Sequence, residues 1–100
     1  MADSKEVIIS AIDNHINKNG GNYKGWYVGV SSDARCRLFN DHKVSEENGA
    51  WIYRTANSSD TAREVETFFI NVRGTDGGTG GGDKTSDMVY TYKKTAYTKP

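Results

Sequence analysis

Lys24-Gly25-Trp26-Tyr27-Val28-Gly29-Val30-Ser31 runs straight into Ser32-Asp33 and then Ala34 to His42 (ARCRLFNDH). Aromatic and β-branched residues crowd the first segment, a composition that suits a half-buried strand. Ser32 and Asp33 offer side-chain oxygens to the first free amides of a helix, so a helix over Ala34–His42 follows, with Leu38 and Phe39 as its core contacts. Strand, polar turn and helix in that order make this segment the centre of a mixed α and β domain.

Working outward, Ala2 to Lys18 has Val7, Ile8, Ala11, Ile12 and Ile16 at helical spacing. Asp3 with Glu6 resembles a capping box at its start. Asn19-Gly20-Gly21 ends it, because glycine enters the left-handed region without steric cost. His15 follows the apolar stripe and reads as a partly buried surface histidine. Ala50 to Thr55 (AWIYRT) forms a second strand. Ser58, Ser59 and Asp60 offer caps for a third helix to about Val72, with Ala62, Val65, Phe68, Phe69 and Val72 on its apolar face. A glycine-rich loop over residues 73–87 (RGTDGGTGGGDKTSD) leads to a third strand, Met88 to Thr95, in which Tyr90 and Tyr92 share one face. The expected fold is α/β (α+β): one domain over 1–100, with helices flanking a small, mostly antiparallel three-stranded sheet in the order α-β-α-β-α-β.

Composition narrows the function. The chain has 100 residues, 13 Lys+Arg against 13 Asp+Glu, and therefore no net charge. A broad basic footprint for nucleic acid is absent, so any such claim must rest on particular residues. No apolar run reaches the ~18 residues of a membrane span. The opening MADSKEV has no apolar signal core, so secretion is not expected. A single Cys36 rules out an internal disulfide and fits a reducing cytoplasm; it reads as a small packing residue. Monomer or weak homodimer is the expected state.

The same central segment carries the most specific signal. Tyr27-Val28-Gly29 ends a strand, a short polar turn follows, and Arg37 lies ten residues after Tyr27. Later, Ala62-Arg63-Glu64-Val65-Glu66 with Ile70 sets a carboxylate on a helix at fixed spacing from apolar neighbours. Together, over residues 26 to 70, these resemble the GIY-YIG nuclease domain: Tyr27-Val28-Gly29 matches its second motif, Arg37 its helix arginine and Glu66 its acidic residue. The resemblance implies a DNA endonuclease in which Glu66 binds Mg²⁺, Arg37 clamps phosphate and Tyr27 orients the attacking water. His42, five residues after Arg37, is a further proton-transfer candidate.

The family's first motif, a GIY strand shortly before the second, is missing. Tyr23 is only four residues from Tyr27 and cannot lie beside it on a neighbouring strand. A permuted arrangement restores the geometry: Met88–Thr95 takes the place of the first strand, and Tyr90 or Tyr92 supplies its tyrosine.

Each residue also has a purely structural reading. Tyr27 serves as a strand aromatic, Arg37 pairs with Asp33 one turn earlier, and Glu66 sits on a solvated face beside Arg63. Trp26, Trp51 and Tyr53 read as packing residues in preference to base-stacking platforms. Gly74 to Gly82 invites a phosphate cradle, but Lys84 does not complete the required P-loop spacing. Three functions follow: nuclease, a catalytically degenerate nucleic-acid binder of the same fold, or a protein-interaction module using an exposed sheet edge.

Overall fold

Alternation along the last strand separates the two faces of the domain. Val89 and Thr91 point one way, and Tyr90 and Tyr92 the other; all four are buried. The computed structural model of the chain describes residues 2–77 and 85–100. Its helices are α1 (Lys5–Lys18), α2 (Ala34–Cys36, prolonged by a π turn over Arg37–Asp41) and α3 (Ser59–Phe68, prolonged by a π turn over Phe69–Arg73). Its strands are β1 (Trp26–Ser31), β2 (Trp51–Thr55) and β3 (Met88–Lys93). The sheet is antiparallel in the order β1-β3-β2, so the last strand in sequence is the central one. The expected class and element order are both observed.

β3 pairs with β1 through the register Tyr27 with Tyr92 and Gly29 with Tyr90. This is the neighbour relation that the permuted arrangement requires. On one face of the sheet, α1 and α3 bury Ile8, Ile12, Ile16, Ala62, Val65 and Phe69 against Trp26, Val28, Val30 and Val89. Each such aliphatic side chain contributes about 1.5–3 kcal/mol when fully removed from water. On the other face, Ala34, Leu38 and Val44 cover Tyr90 and Tyr92, with Tyr27, Phe39, Trp51 and Tyr53 packed around them.

Local chemistry explains where the elements begin and end, with several departures from the sequence expectation. Ser4, not Asp3, caps α1, its hydroxyl accepting from the Val7 amide. Asp3 is drawn away by a bridge to β2: its amide donates to Thr55 O at 2.8 Å. β1 starts at Trp26 because Tyr23–Gly25 forms a 3₁₀ turn. Asp33 does cap α2, accepting from the Cys36 amide at 3.1 Å, and Ser58 caps α3. Val72, expected on the apolar face, is 63% exposed. The π turn at the end of α3 widens the helix and swings that position off the 3.6-residue stripe before Gly74 closes it in the left-handed region (φ 84°). Cys36 is exposed and does not pack in the core.

Both sheet edges are partly occupied. Outside β1, the Val28 amide donates to Asp76 O at 3.0 Å and the Asp76 amide to Trp26 O at 2.8 Å. The next residue, Gly77, lies so tightly that a Cβ there would sit 2.5 Å from Ile70 Cδ1 and 2.7 Å from Val28 O. The Asp3 bridge does the same for β2. The open stretch available for strand addition is therefore shorter than a bare three-stranded sheet would offer.

Candidate functional site

Tyr27, Tyr90 and Tyr92 come together because β1 and β3 are neighbours and all three side chains project to the α2 face. The Tyr27 ring stacks at 5.3 Å from Tyr92 and 6.3 Å from Tyr90, near parallel to both. Gly29 makes this arrangement feasible. A Cβ at that position would lie 2.5 Å from the Tyr90 hydroxyl and 2.6 Å from its Cζ, so the tyrosine ring occupies the space a side chain would take. The third residue of the Tyr27-Val28-Gly29 motif thus has a direct packing role.

His42 closes the cluster. It ends the π turn after α2, its amide donating to Arg37 O at 2.9 Å, and it is only 5% exposed. Its ring centroid is 4.7 Å from that of Tyr27 and 4.9 Å from that of Tyr92. Nδ1 lies 2.6 Å from the Lys99 carbonyl oxygen, which can only accept, so Nδ1 carries the proton. Nε2 is then an acceptor and takes the Tyr90 hydroxyl proton at 2.7 Å. The Tyr92 hydroxyl donates to the same Lys99 carbonyl at 3.3 Å. Burial holds the His42 pKa below 6.5, with the Arg37 charge acting in the same direction, so the ring is neutral at pH 7. Burial likewise raises the phenols of Tyr90 and Tyr92, with the Tyr27 hydroxyl as the next cause. Neither tyrosine ionises near neutrality; each acts as a hydroxyl that donates and accepts hydrogen bonds.

This tautomer chain has a measurable consequence. Tyr90→Phe leaves the buried Nε2 without its donor and is expected to lower stability by about 1–3 kcal/mol. It also removes a bond that favours the neutral imidazole, so the His42 pKa rises. An NMR titration of the two histidine rings reads this directly; an unmoved His42 pKa would show that Tyr90 does not set its state.

Arg37 is half-exposed and pairs with Asp41 at 3.3 Å, one turn later, not with Asp33 as its structural reading had it. Asp33 is occupied by its capping bond. An exposed pair at this spacing is worth only about 0.3–0.5 kcal/mol, so the guanidinium is easily drawn to a stronger anion. Its charge reaches both His42 and Tyr90.

Glu66 is the residue whose placement departs most from its structural reading. It faces inward on α3 beside Ala62, Val65 and Phe69, and is 3% exposed. Its Oε2 is buried and has no hydrogen-bond partner. Burial pushes its pKa up to about 7, with Arg63 pulling weakly the other way. A buried, unpartnered carboxylate is costly to a fold and is a recognised mark of functional placement.

Sequence reasoning missed the main-chain carbonyl of Lys99, which sets the His42 tautomer; every residue carries a carbonyl, so no sequence signal marks it. Among the described residues, no group of three or more His, Cys, Asp or Glu side chains gathers to hold a metal. Asp76 bridges β1 and faces Lys94 at 3.4 Å. Residues 78–84, which include most of the glycine stretch together with Asp83 and Lys84, lie outside the described residues. Trp26 is fully buried, while Trp51 stacks on Tyr53 and donates through Nε1 to Glu46 O. No helix among the described residues is long and apolar enough to cross a membrane.

No protein-family model, curated protein or solved structure matches this chain. The functional argument therefore rests on the α2-face group of three tyrosines, a neutral histidine and a neighbouring arginine, and on Glu66, which the structure does not bring to them: it lies with α3 on the opposite face of the sheet, beside Ala62, Val65 and Phe69.

Proposed function

We propose that the chain is a GIY-YIG-like nuclease domain in permuted order, hydrolysing phosphodiester bonds of DNA. The observation that carries this reading is the β1–β3 pairing, which sets Tyr90 against Gly29 and beside Tyr27; Glu66 adds an inward carboxylate with an unpartnered oxygen on the other face of the sheet. A carboxylate is the donor type Mg²⁺ takes, one or two from the protein with water and phosphate in its remaining positions. To hold it, Glu66, buried beside Ala62, Val65 and Phe69, would have to come into contact with water. There the ion would supply neutralisation of charge on the phosphate and the leaving oxygen.

The remaining work belongs to the chain's own groups. Arg37 exchanges its weak Asp41 partner for two phosphate oxygens, which its planar fork matches. Tyr27 and Tyr90 orient the attacking water by hydrogen bonding. As the water oxygen bonds to phosphorus and the P–O ester bond breaks, the water proton passes to the Tyr90 oxygen while the Tyr90 proton moves to His42 Nε2, and the leaving oxygen takes its proton from solvent water. The Lys99 carbonyl stabilises the resulting imidazolium through Nδ1–H. In this reading the protein is cytoplasmic, consistent with its free Cys36 thiol, and monomeric or weakly dimeric.

Purified protein with Mg²⁺ is expected to nick supercoiled plasmid DNA, with chelation abolishing the reaction. Arg37→Ala should lower the rate by about 10²–10³-fold, the usual loss for one transition-state donor. Nicking at the unaltered rate in that variant would remove Arg37 from the mechanism.

The burial of Glu66 favours a second reading, binding without cleavage. A carboxylate that is 3% exposed and half-protonated near pH 7 is a weak cation ligand. DNA retention that falls steeply with salt, without nicking at any pH, would select this reading.

A further inference from the structure

Alternation along β2 sends Tyr53 to the α2 face and Ile52 and Arg54 to the α1 face, behind the tyrosine cluster. There, a cleft of about 270 Å³ opens between α1 and β2, lined by Ala11, Asn14, His15, Lys18, Ile52 and Arg54. Three of these six side chains are cationic or become so on protonation, and none is acidic. We propose that this cleft binds a phosphate-type oxyanion, held by Arg54 and Lys18, with His15 in the same lining.

Three observations support the site. First, the cations lack an internal explanation. Lys18 lies in the last turn of α1, where a positive charge answers the helix dipole. That end is already served: Asn19 Nδ2 donates to His15 O at 2.8 Å, and Lys93 Nζ donates to Asn19 O at 3.2 Å. Arg54 belongs to another element, and its Nη1 donates to the neighbouring Tyr53 carbonyl at 2.8 Å. Second, His15 is pinned but not satisfied. Its ring meets Trp26 edge-on at 5.4 Å, and its buried Nε2 has no hydrogen-bond partner. Third, the electrostatics are one-sided. Burial first, then the positive charges of Arg54 and Lys18, hold His15 below its ordinary pKa, with no carboxylate acting against them. An oxyanion in the cleft offsets both cations and favours the protonated ring.

The chemistry selects a tetrahedral oxyanion with several acceptor oxygens, because a guanidinium and an ammonium together supply donors from two directions. Its source is either a free phosphate or a phosphodiester of a nucleic-acid backbone. The lining of the cleft shares no residue with the reaction proposed above, so the site stands without that reading.

The test follows the ring resonances of His15 and His42 by NMR in the intact chain. Inorganic phosphate forms one arm, and a short single-stranded oligodeoxynucleotide without terminal phosphates forms the other. In either arm, binding is expected to move the His15 resonances and raise the His15 pKa. A response to the oligonucleotide assigns the site to a nucleic-acid backbone; a response to phosphate alone assigns it to a small phosphorylated ligand. Arg54→Gln and Lys18→Gln alter exposed side chains and should each weaken binding at least about tenfold. Glu66→Gln should leave the His15 response intact, so loss of nuclease activity and loss of this site are read separately. Silence of His15 in both arms, or a response of equal affinity in the Arg54→Gln/Lys18→Gln double variant, would overturn the proposal.

Discussion

Glu66→Gln is expected to stabilise the protein at pH 8 while removing cleavage. The Glu66 pKa of about 7 lies above its ordinary value of 4.5, so the folded state holds this proton more tightly than the unfolded chain does. Its contribution to stability is therefore full below pH 4.5 and is lost as pH rises through about 7. The whole shift corresponds to about 3 kcal/mol at pH 8. Glutamine has the same shape without the charge, but its buried amide brings its own desolvation cost of about 1–3 kcal/mol where unpaired. The net gain is about 0–2 kcal/mol, or a Tm higher by up to roughly 15 °C for a domain of this size. At pH 4.5 the gain should vanish, because Glu66 is then neutral in the folded state and already half-protonated in the unfolded chain.

The same substitution removes the single carboxylate offered to Mg²⁺, and nicking should fall by at least about a hundredfold. In the parent protein, proton and cation compete for Glu66, so nicking at fixed Mg²⁺ should climb as pH passes through about 7. Thermal unfolding at the two pH values decides the first half. Equal Tm differences at pH 4.5 and pH 8 would mean that Glu66 binds its proton no more tightly in the folded protein than in the unfolded chain. A stabilised variant that still nicks would separate Glu66 from the reaction altogether.

Gly29→Ala should be the most damaging small substitution in the sheet. The added Cβ would meet the Tyr90 hydroxyl at 2.5 Å and its Cζ at 2.6 Å. Tyr90 is 2% exposed and tied to His42 Nε2 at 2.7 Å, so its ring has no free path aside. Overpacking of this kind costs about 1–3 kcal/mol, and breaking the buried hydrogen bond adds about 1 kcal/mol or more. A total near 3 kcal/mol lowers Tm by roughly 10–20 °C. The tyrosine is also displaced from Tyr27 and His42, so nicking should drop even below the melting temperature.

Gly25→Ala is the matched control. A Cβ at that position meets only Asn22 Nδ2, at an ordinary 3.8 Å. That variant should be neutral or slightly stabilised through the unfolded state. Gly29→Ala melting together with Gly25→Ala would contradict the crossing of Tyr90 over Gly29.

Much of this was legible residue by residue. Asp33 and Ser58 cap as their chemistry suggests, and alternation put Tyr90 and Tyr92 on one face of the last strand. The apolar stripe of α1 is buried at Ile8, Ile12 and Ile16 as its spacing requires. Where local reading failed, a longer-range contact competed. Asp3 had the composition of a cap but is held by β2, and Ser4 took its place. Val72 fitted the stripe of a regular helix but follows a π turn, which ordinary helical spacing does not anticipate.

The sequence by itself determined which segments are helix or strand, and which side chains share a face. Those properties depend on backbone preference and on the 3.6- and 2-residue periods, and both are local. It also carried the Tyr27, Arg37 and Glu66 spacing. Only the tertiary structure decided that β3 lies between β1 and β2, because a period names a face but not a partner. That one pairing sets Tyr90 over Gly29 and beside His42, and packing of α3 on the other face turns Glu66 inward. A strand's neighbour and a carboxylate's burial follow from the summed packing of distant segments, which no window of sequence contains.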